Sequence, residues 1–380
     1  MRRSILLTPG PTQVPEEALA IASMPIMHHR TPQFEKIFAE VEESLKYVFQ
    51  TTNPVLIFTS SGTGAMESTI VNTLSPGDKV IVIVGGKFGE RWAELAKAYS
   101  LNLIQLDVPW DQVIEVERLK KAIEENPDTK AILTTLSETS TGGVTDIKTI
   151  SSLTKDKDML LVVDAISALG VINLKTDEWG VDVVIAGSQK GLMIPPGLAF
   201  VSVSEKAQKF MENSKLPKYY FSWKKSLKNL DKNTTPWTPG ISLIMQINEA
   251  LKLIKAEGLE NVFKRHSRLS KAIREAMLAL NLEIYNKNTG DTCTAVIVPE
   301  GIDGEKMVKI CRDKFMVTLT GGQDELKGKI FRISTMGNVN ENDLMLGVTV
   351  VERALSELGY KFNRGAGVAA AMKSLEEQGV

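Results

Sequence analysis

Between residues 55 and 204, short apolar runs recur with amphipathic stretches between them. Val55–Ser60, Lys79–Val84, Asn102–Val108, Ala131–Ser137, Met159–Ala165, Asp182–Gly187 and Leu198–Ser204 read as strands, most of them near-continuous in Val, Ile and Leu. Such runs are typical of strands covered on both faces. Met66–Leu74, Gly89–Ser100 and Glu117–Glu125 show the helical period instead. The alternation predicts an α/β domain built on a mostly parallel seven-stranded sheet, with ligands at the carboxyl ends of its strands. After residue 241 the pattern changes. Ser242–Ala256 and Leu259–Leu280 predict two long helices. They are followed by strands at Cys293–Pro299, Met316–Thr320 and Lys329–Thr335 and helices near Gly304–Arg312 and Asn340–Leu358. We divide the chain into an N-terminal arm (1–15), a large α/β domain (16–280) and a small α+β domain (281–380). Segment 205–240, with its prolines and aromatics, reads as the least regular part, and the tail from Arg364 as a short terminal helix.

Bulk composition narrows the function. The 380 residues are 43% hydrophobic and 24% charged, with a net charge of −1. That balance gives no global case for binding nucleic acid or an anionic membrane. The densest basic cluster, Lys224, Lys225 and Lys228, reads as an exposed segment. No apolar run approaches the roughly 20 residues that span a bilayer, and the start M-R-R-S-I-L-L is too short for a secretory core, so a soluble protein is expected. Cys293 and Cys311 fit neither a zinc pattern nor a disulfide framework, which predicts a reducing, cytoplasmic setting. His28 and His29 are adjacent and so face different ways, and His266 lies on a charge-rich helix. None of the three is expected to hold a metal.

Three places could carry chemistry. Asp164 closes the apolar run M-L-L-V-V-D-A, and Lys190 follows another strand in G-S-Q-K-G-L-M-I-P-P-G. Asp164 could equally cap the next segment, and Lys190 could be a solvated loop lysine. If they meet above adjacent strands, they suit a cofactor with a cationic ring nitrogen and an aldehyde, as in pyridoxal phosphate (PLP). T-S-S-G-T-G-A-M-E, residues 59–67, opens a helix after a strand and could cradle a phosphate or simply make a turn. Arg332, in K-I-F-R-I-S-T-M-G, is either an edge-strand charge or a clamp for a substrate carboxylate.

Taken in order, S-G-T-G-A-M-E, S-E-T-S-T-G, V-D-A-I-S-A-L-G and G-S-Q-K-G-L-M-I-P-P-G resemble the class V (fold-type I) PLP-dependent aminotransferases. The likeness is greatest to the alanine–glyoxylate/serine–pyruvate branch and runs from L-L-T-P-G-P to F-R-I-S-T-M-G. The resemblance implies that Lys190 forms the Schiff base and Asp164 pairs with the pyridine nitrogen. Ser61, Gly62 and Thr63 would hold the phosphate, with Gln189 beside the lysine. Phe88 would stack on the ring, where many members have Trp. Ser140 would bond the phenolic oxygen or line the substrate pocket, Arg332 would bind the substrate α-carboxylate, and Gly10 and Pro11 would lie near the substrate. It further implies a homodimer in which Thr235 or Thr238 reaches the partner's phosphate site. The expected reaction is amino transfer from alanine or serine to glyoxylate or pyruvate. Aspartate or aminophosphonate donors are the near alternative, with Arg30 a candidate for a distal carboxylate. A cysteine desulfurase is the weaker one, since Thr318–Arg332 contains no cysteine. A non-catalytic PLP-fold subunit stands beside it as a weaker alternative, because it has no need of Lys190, Asp164 and Arg332 together.

Overall fold

The computed structural model describes residues 4–378; Arg2 and Arg3 of the N-terminal motif lie outside them. All seven predicted strands join one sheet, in the order Val55–Thr59, Leu198–Val203, Val183–Gly187, Leu160–Asp164, Ala131–Thr135, Lys79–Val84 and Asn102–Asp107. Leu198–Val203 runs antiparallel to both neighbours, and the remaining pairs are parallel. The reason is the length of a connection. Residues 188–197 contain turns and no helix. A parallel return needs a crossover of about a dozen residues or more, so the chain comes back antiparallel.

Alternate strand residues feed two cores. Ile57, Ile81 and Ile83 pack on one face with the helix Pro32–Phe49 and the helix Ile241–Glu257. Leu56, Val80 and Val82 pack on the other face with the helices Gly62–Thr73 and Lys87–Ala98. Each fully buried Val, Leu or Ile contributes about 1.5–3 kcal/mol, so polar residues among these positions stand out. Two regions depart from the sequence reading. The helix Pro32–Phe49 went unremarked, although Thr31 caps it by accepting from Phe34 N and proline opens its first turn. Segment 205–240 holds the helices Glu205–Asn213 and Trp223–Leu230, capped by Ser204 and Ser222. Its prolines, Pro217, Pro236 and Pro239, fall between or after them.

A third core gathers Leu269, Ile273, Phe331, Val348 and Leu375 with Leu7. Its sheet pairs Ile330–Ile333 with Thr294–Ile297 and Thr320–Gly321. The predicted strand Met316–Thr320 is thus split, because Val317–Thr318 pairs instead with Ile5–Leu6. Leu7 N donates to Thr318 O at 3.0 Å, and Leu7 O accepts from Ser334 N at 2.9 Å. The arm is therefore fixed at both sides before it turns towards residue 10. The helix Leu259–Ala279 serves two cores: Leu259 and Val262 belong to the first, Leu269 and Ile273 to the third. The tail forms the helix Ala366–Glu377.

Candidate active site

Asp164 and Lys190 rise from paired strands at the carboxyl end of the sheet, where Asp164 is opposite Ile185. Asp164 is buried, and its Oδ1 accepts from Ile166 N at 2.8 Å. Burial pushes this carboxyl up to about 7, against the pull of that N–H. Lys190 Nζ donates to Pro9 O. Burial lowers the Lys190 amine to about 8; Asp164 opposes the shift, while Arg332 and Arg91 add to it. An amine and a carboxyl that each resist charging lie within electrostatic reach of one another here, a usual mark of a functional site.

The N-terminal arm closes over the lysine. Thr12 N donates to Gln189 O at 3.0 Å and Thr12 Oγ1 to Lys190 O at 2.9 Å. Gly10 adopts φ +114°, and a Cβ there would lie 2.5 Å from both Cδ and Cε of Lys190. The Gly10–Pro11 bond is cis.

One strand away, Ser61 caps the helix Gly62–Thr73 without a side-chain hydrogen bond, leaving its hydroxyl exposed. The N–H groups of Gly62 and Thr63 belong to the first turn, whose donors have no partner within the helix. A Cβ on Gly62 would fall 2.8 Å from Ile166 Cγ1, so this helix start abuts the turn after Asp164. Gln189 Oε1 is buried with no hydrogen-bond partner. A Cβ on Gly187 would lie 3.2 Å from this oxygen and 3.4 Å from Ile166 Cγ2, so an unpaired acceptor and helix donors without intrahelical partners both adjoin Ile166, leaving room for a group that carries an anion and polar hydrogens.

Arg332, in the strand Ile330–Ile333, is only 6% exposed. Its guanidinium donates to Gly321 O at 2.8 and 3.0 Å and to Thr139 O at 2.8 Å. Both acceptors are neutral carbonyls. Among the described residues no carboxylate forms an ion pair with it, and Glu138 acts on it only at a distance, so the guanidinium is left with charge to give to a ligand. Cys293 lies within electrostatic reach of Arg332 and Lys190; burial pushes its thiol up to about 11.

Phe88 opens the helix Lys87–Ala98, half-buried, with the Arg91 guanidinium 5.1 Å from its ring centroid. Ser140 differs from expectation. Its hydroxyl donates to Glu138 and accepts from Lys87 N at 3.1 Å, so its proton is already committed. Thr235 also turns inward, donating to Trp237 O at 2.6 Å, whereas Thr238 is exposed. Both line a small recess at Thr59 of their own chain, and Gly240 N donates to Thr59 Oγ1 at 2.7 Å. Arg30 is exposed. The site residue missed in the sequence is Glu138, a buried acid in S-E-T-S-T-G. A charge between an apolar strand and a glycine turn was its available signal.

Other features point elsewhere. A hollow of about 780 Å³ lined by Tyr47, Gln50, Asp177 and Leu259 lies at the amino ends of the strands, since Gln50 and Asp177 precede Val55–Thr59 and Val183–Gly187. Among the described residues, no three His, Cys, Asp or Glu side chains gather as a metal site. His266 is a buried structural residue, with Nδ1 at 2.7 Å from Val262 O and Nε2 accepting from Gly337 N at 3.0 Å. No helix among the described residues is long and apolar enough to cross a membrane.

Comparison with known proteins places this geometry in context. The family model described as Aminotransferase class-V matches residues 12–343. A Synechococcus protein named soluble hydrogenase, small subunit, is 43% identical over 98% of each chain. The serine–glyoxylate aminotransferase of Arabidopsis thaliana is 37% identical, covering 98% of this chain and 96% of its own. The crystal structure of alanine–glyoxylate aminotransferase from Nostoc sp. superposes with a TM-score of 0.90 at 29% identity, covering 93% of this chain and 96% of that one.

Proposed function

Because this chain belongs to the class-V aminotransferases, we propose that it moves the amino group of a small L-amino acid, alanine or serine, to glyoxylate or pyruvate, using PLP. The observation that carries this reading is the buried Arg332, which forms no ion pair among the described residues and whose guanidinium donates only to main-chain carbonyls, within electrostatic reach of Lys190 and so of the lysine–Asp164 pair. When bound, PLP supplies an aldehyde that condenses with amines and a ring that accepts electrons. Lys190 Nζ carries the covalent link and, once free, moves a proton at the substrate α-carbon. Its lowered basicity suits that work near neutral pH. Asp164 would pair with the ring nitrogen and keep a proton on it. Ser61, with the N–H groups of Gly62 and Thr63, would hold the phosphate, with Gln189 contributing beside the lysine. Phe88 would stack on the ring, and Arg332 would take the substrate α-carboxylate as a two-pronged donor.

We place the enzyme in the cytoplasm as a homodimer. Thr238, exposed as it is, suits a reach to the partner's phosphate site better than the inward-turned Thr235. We keep the division into an arm, a large unit to residue 280 and a small unit beyond it. A second reading, an acidic donor such as aspartate, is favoured by Arg91. This cation is felt at both Asp164 and Lys190, and among the described residues its one close partner is the Phe88 ring. A desulfurase would need an accessible thiolate, and both Cys293 and Cys311 are buried. A subunit without catalytic work would have no use for a buried arginine whose guanidinium donates only to main-chain carbonyls.

The test is an absorbance spectrum of the purified protein with PLP, repeated on Lys190→Ala and titrated with L-alanine, L-serine and L-aspartate. A visible lysine-dependent band is expected, lost on adding alanine or serine and restored by glyoxylate or pyruvate. If no lysine-dependent band forms, the cofactor assignment falls. If only aspartate discharges the band, the second reading replaces the first.

A further inference from the structure

Glu138 is a buried carboxylate, 7% exposed, on which two separate parts of the site converge. From one side the start of the helix Lys87–Ala98 donates to it: Phe88 N at 3.0 Å and Gly89 N at 3.0 Å, both to Oε2. From the other side Ser140 donates to Oε1 through its hydroxyl and through its N–H at 3.3 Å. The helix has no capping side chain of its own, since Gly86 holds that position. Glu138, 50 residues away in sequence from Phe88, caps it instead, and a negative charge at a helix N-terminus is favoured by the exposed N–H groups and the dipole. Gly86 makes the approach possible: a Cβ there would lie 2.5 Å from Glu138 Cγ and 2.6 Å from Ser140 Oγ.

We propose that Glu138 is a positioning residue that fixes Phe88 and Ser140 relative to each other and so sets the slot in which the cofactor ring is held. This rests on the PLP reading above and adds to it a residue that does not itself touch the ring. The chemistry requires a carboxylate. A glutamine can accept with one oxygen only, and its NH2 would face a donor, so either the helix start or Ser140 is released.

The experiment is Glu138→Gln, titrated with PLP in the cofactor-free protein and followed by intrinsic fluorescence and visible circular dichroism. The expected result is an unchanged far-ultraviolet spectrum, a dissociation constant for PLP raised about ten-fold, as for loss of a hydrogen bond to a charged group, and a weakened visible dichroic band. Adding Ser140→Ala to Glu138→Gln should change little further, because the two act as one unit. Affinity within two-fold of wild type and an unaltered dichroic band would overturn the proposal. If Glu138→Gln does not fold, Gly86→Ala displaces the same carboxylate while keeping its charge. Gly86→Ala is expected to loosen PLP likewise, and wild-type affinity in that variant overturns the proposal. Failure of the wild type to link PLP through Lys190 would instead remove the underlying cofactor reading, so the two failures are told apart.

Discussion

Gly10→Ala is a one-methyl change whose consequences divide cleanly between stability and chemistry. The backbone at residue 10 has φ +114°, a region that side chains other than hydrogen rarely adopt, and holding alanine there costs about 1–3 kcal/mol. The new methyl would fall 2.5 Å from Cδ and Cε of Lys190, an overpacking worth about another 1–3 kcal/mol if nothing moves. The lysine chain is flexible and can yield, so the second cost is relieved by displacing Nζ from its place under Pro9 O. The loss of stability should then be modest, a fall in Tm on the order of 2–5 °C for a chain of this size. The loss of function should be severe. Thermal unfolding of the cofactor-free protein reads the first. Borohydride trapping of PLP, with the labelled peptide found by mass spectrometry, reads the second. A variant that traps PLP on Lys190 at the wild-type rate would refute the claim that the arm and the lysine share this space.

Other perturbations test separate links. Arg332→Gln should leave PLP binding intact and raise KM for the amino acid about 10- to 100-fold, the value of charged hydrogen bonds to a carboxylate; a changed kcat with an unchanged KM would contradict that role. Burial lowers Lys190 to about 8, so PLP capture followed by stopped-flow absorbance should slow about ten-fold per pH unit below that point and level off above it. The same shift has a stability sign. In the unfolded chain the lysine keeps its proton to about pH 10.4. Between about 8 and 10 the unfolded state therefore binds the extra proton at this residue, and the lysine's contribution to the stability of the cofactor-free protein should rise with pH, against the opposite sign of the buried thiols of Cys293 and Cys311. A Lys190→Met variant should lack that rise. With their thiols pushed up to about 11 and 12, Cys293 and Cys311 should resist iodoacetamide at pH 8 in the native protein and react on unfolding; rapid native labelling of Cys293 would reopen the thiolate chemistry of a desulfurase.

The strands were legible because each is apolar through its length, and a covered sheet leaves no other arrangement for such runs. The ends of those strands were legible as places for chemistry, since Asp164 and Lys190 interrupt apolar sequence at points where burial of charge needs a reason. What the sequence did not disclose are relations between distant segments. Nothing in E-T-S reveals that Glu138 caps a helix starting at residue 87, and nothing in T-L-T reveals that Val317 and Thr320 serve different sheets. The helix Pro32–Phe49 is a different omission, as Thr31-Pro32 is a local start signal that could have been read. Ser140 and Thr235 show the limit of residue type as a guide: a hydroxyl at the right position spends its proton on a near neighbour, a choice decided by packing.

The antiparallel strand Leu198–Val203 sits between the strand that leads to Ser61, in the proposed phosphate cradle, and the strand that leads to Lys190. Its insertion makes the sheet edge a ruler. The ends of Val55–Thr59 and Val183–Gly187 are two interstrand spacings apart, roughly 10 Å, and the end of Leu160–Asp164 one spacing further, each step of roughly 5 Å being set by backbone hydrogen bonds, while the helix start after Thr59 leans back across this edge until Gly62 meets Ile166. Side-chain substitution cannot stretch these divisions; only gaining or losing a strand could. On the PLP reading a cofactor must therefore match this edge in length as well as in its groups, and pyridoxal lacking its phosphate should reach Lys190 while leaving the helix start at Gly62 without an anion.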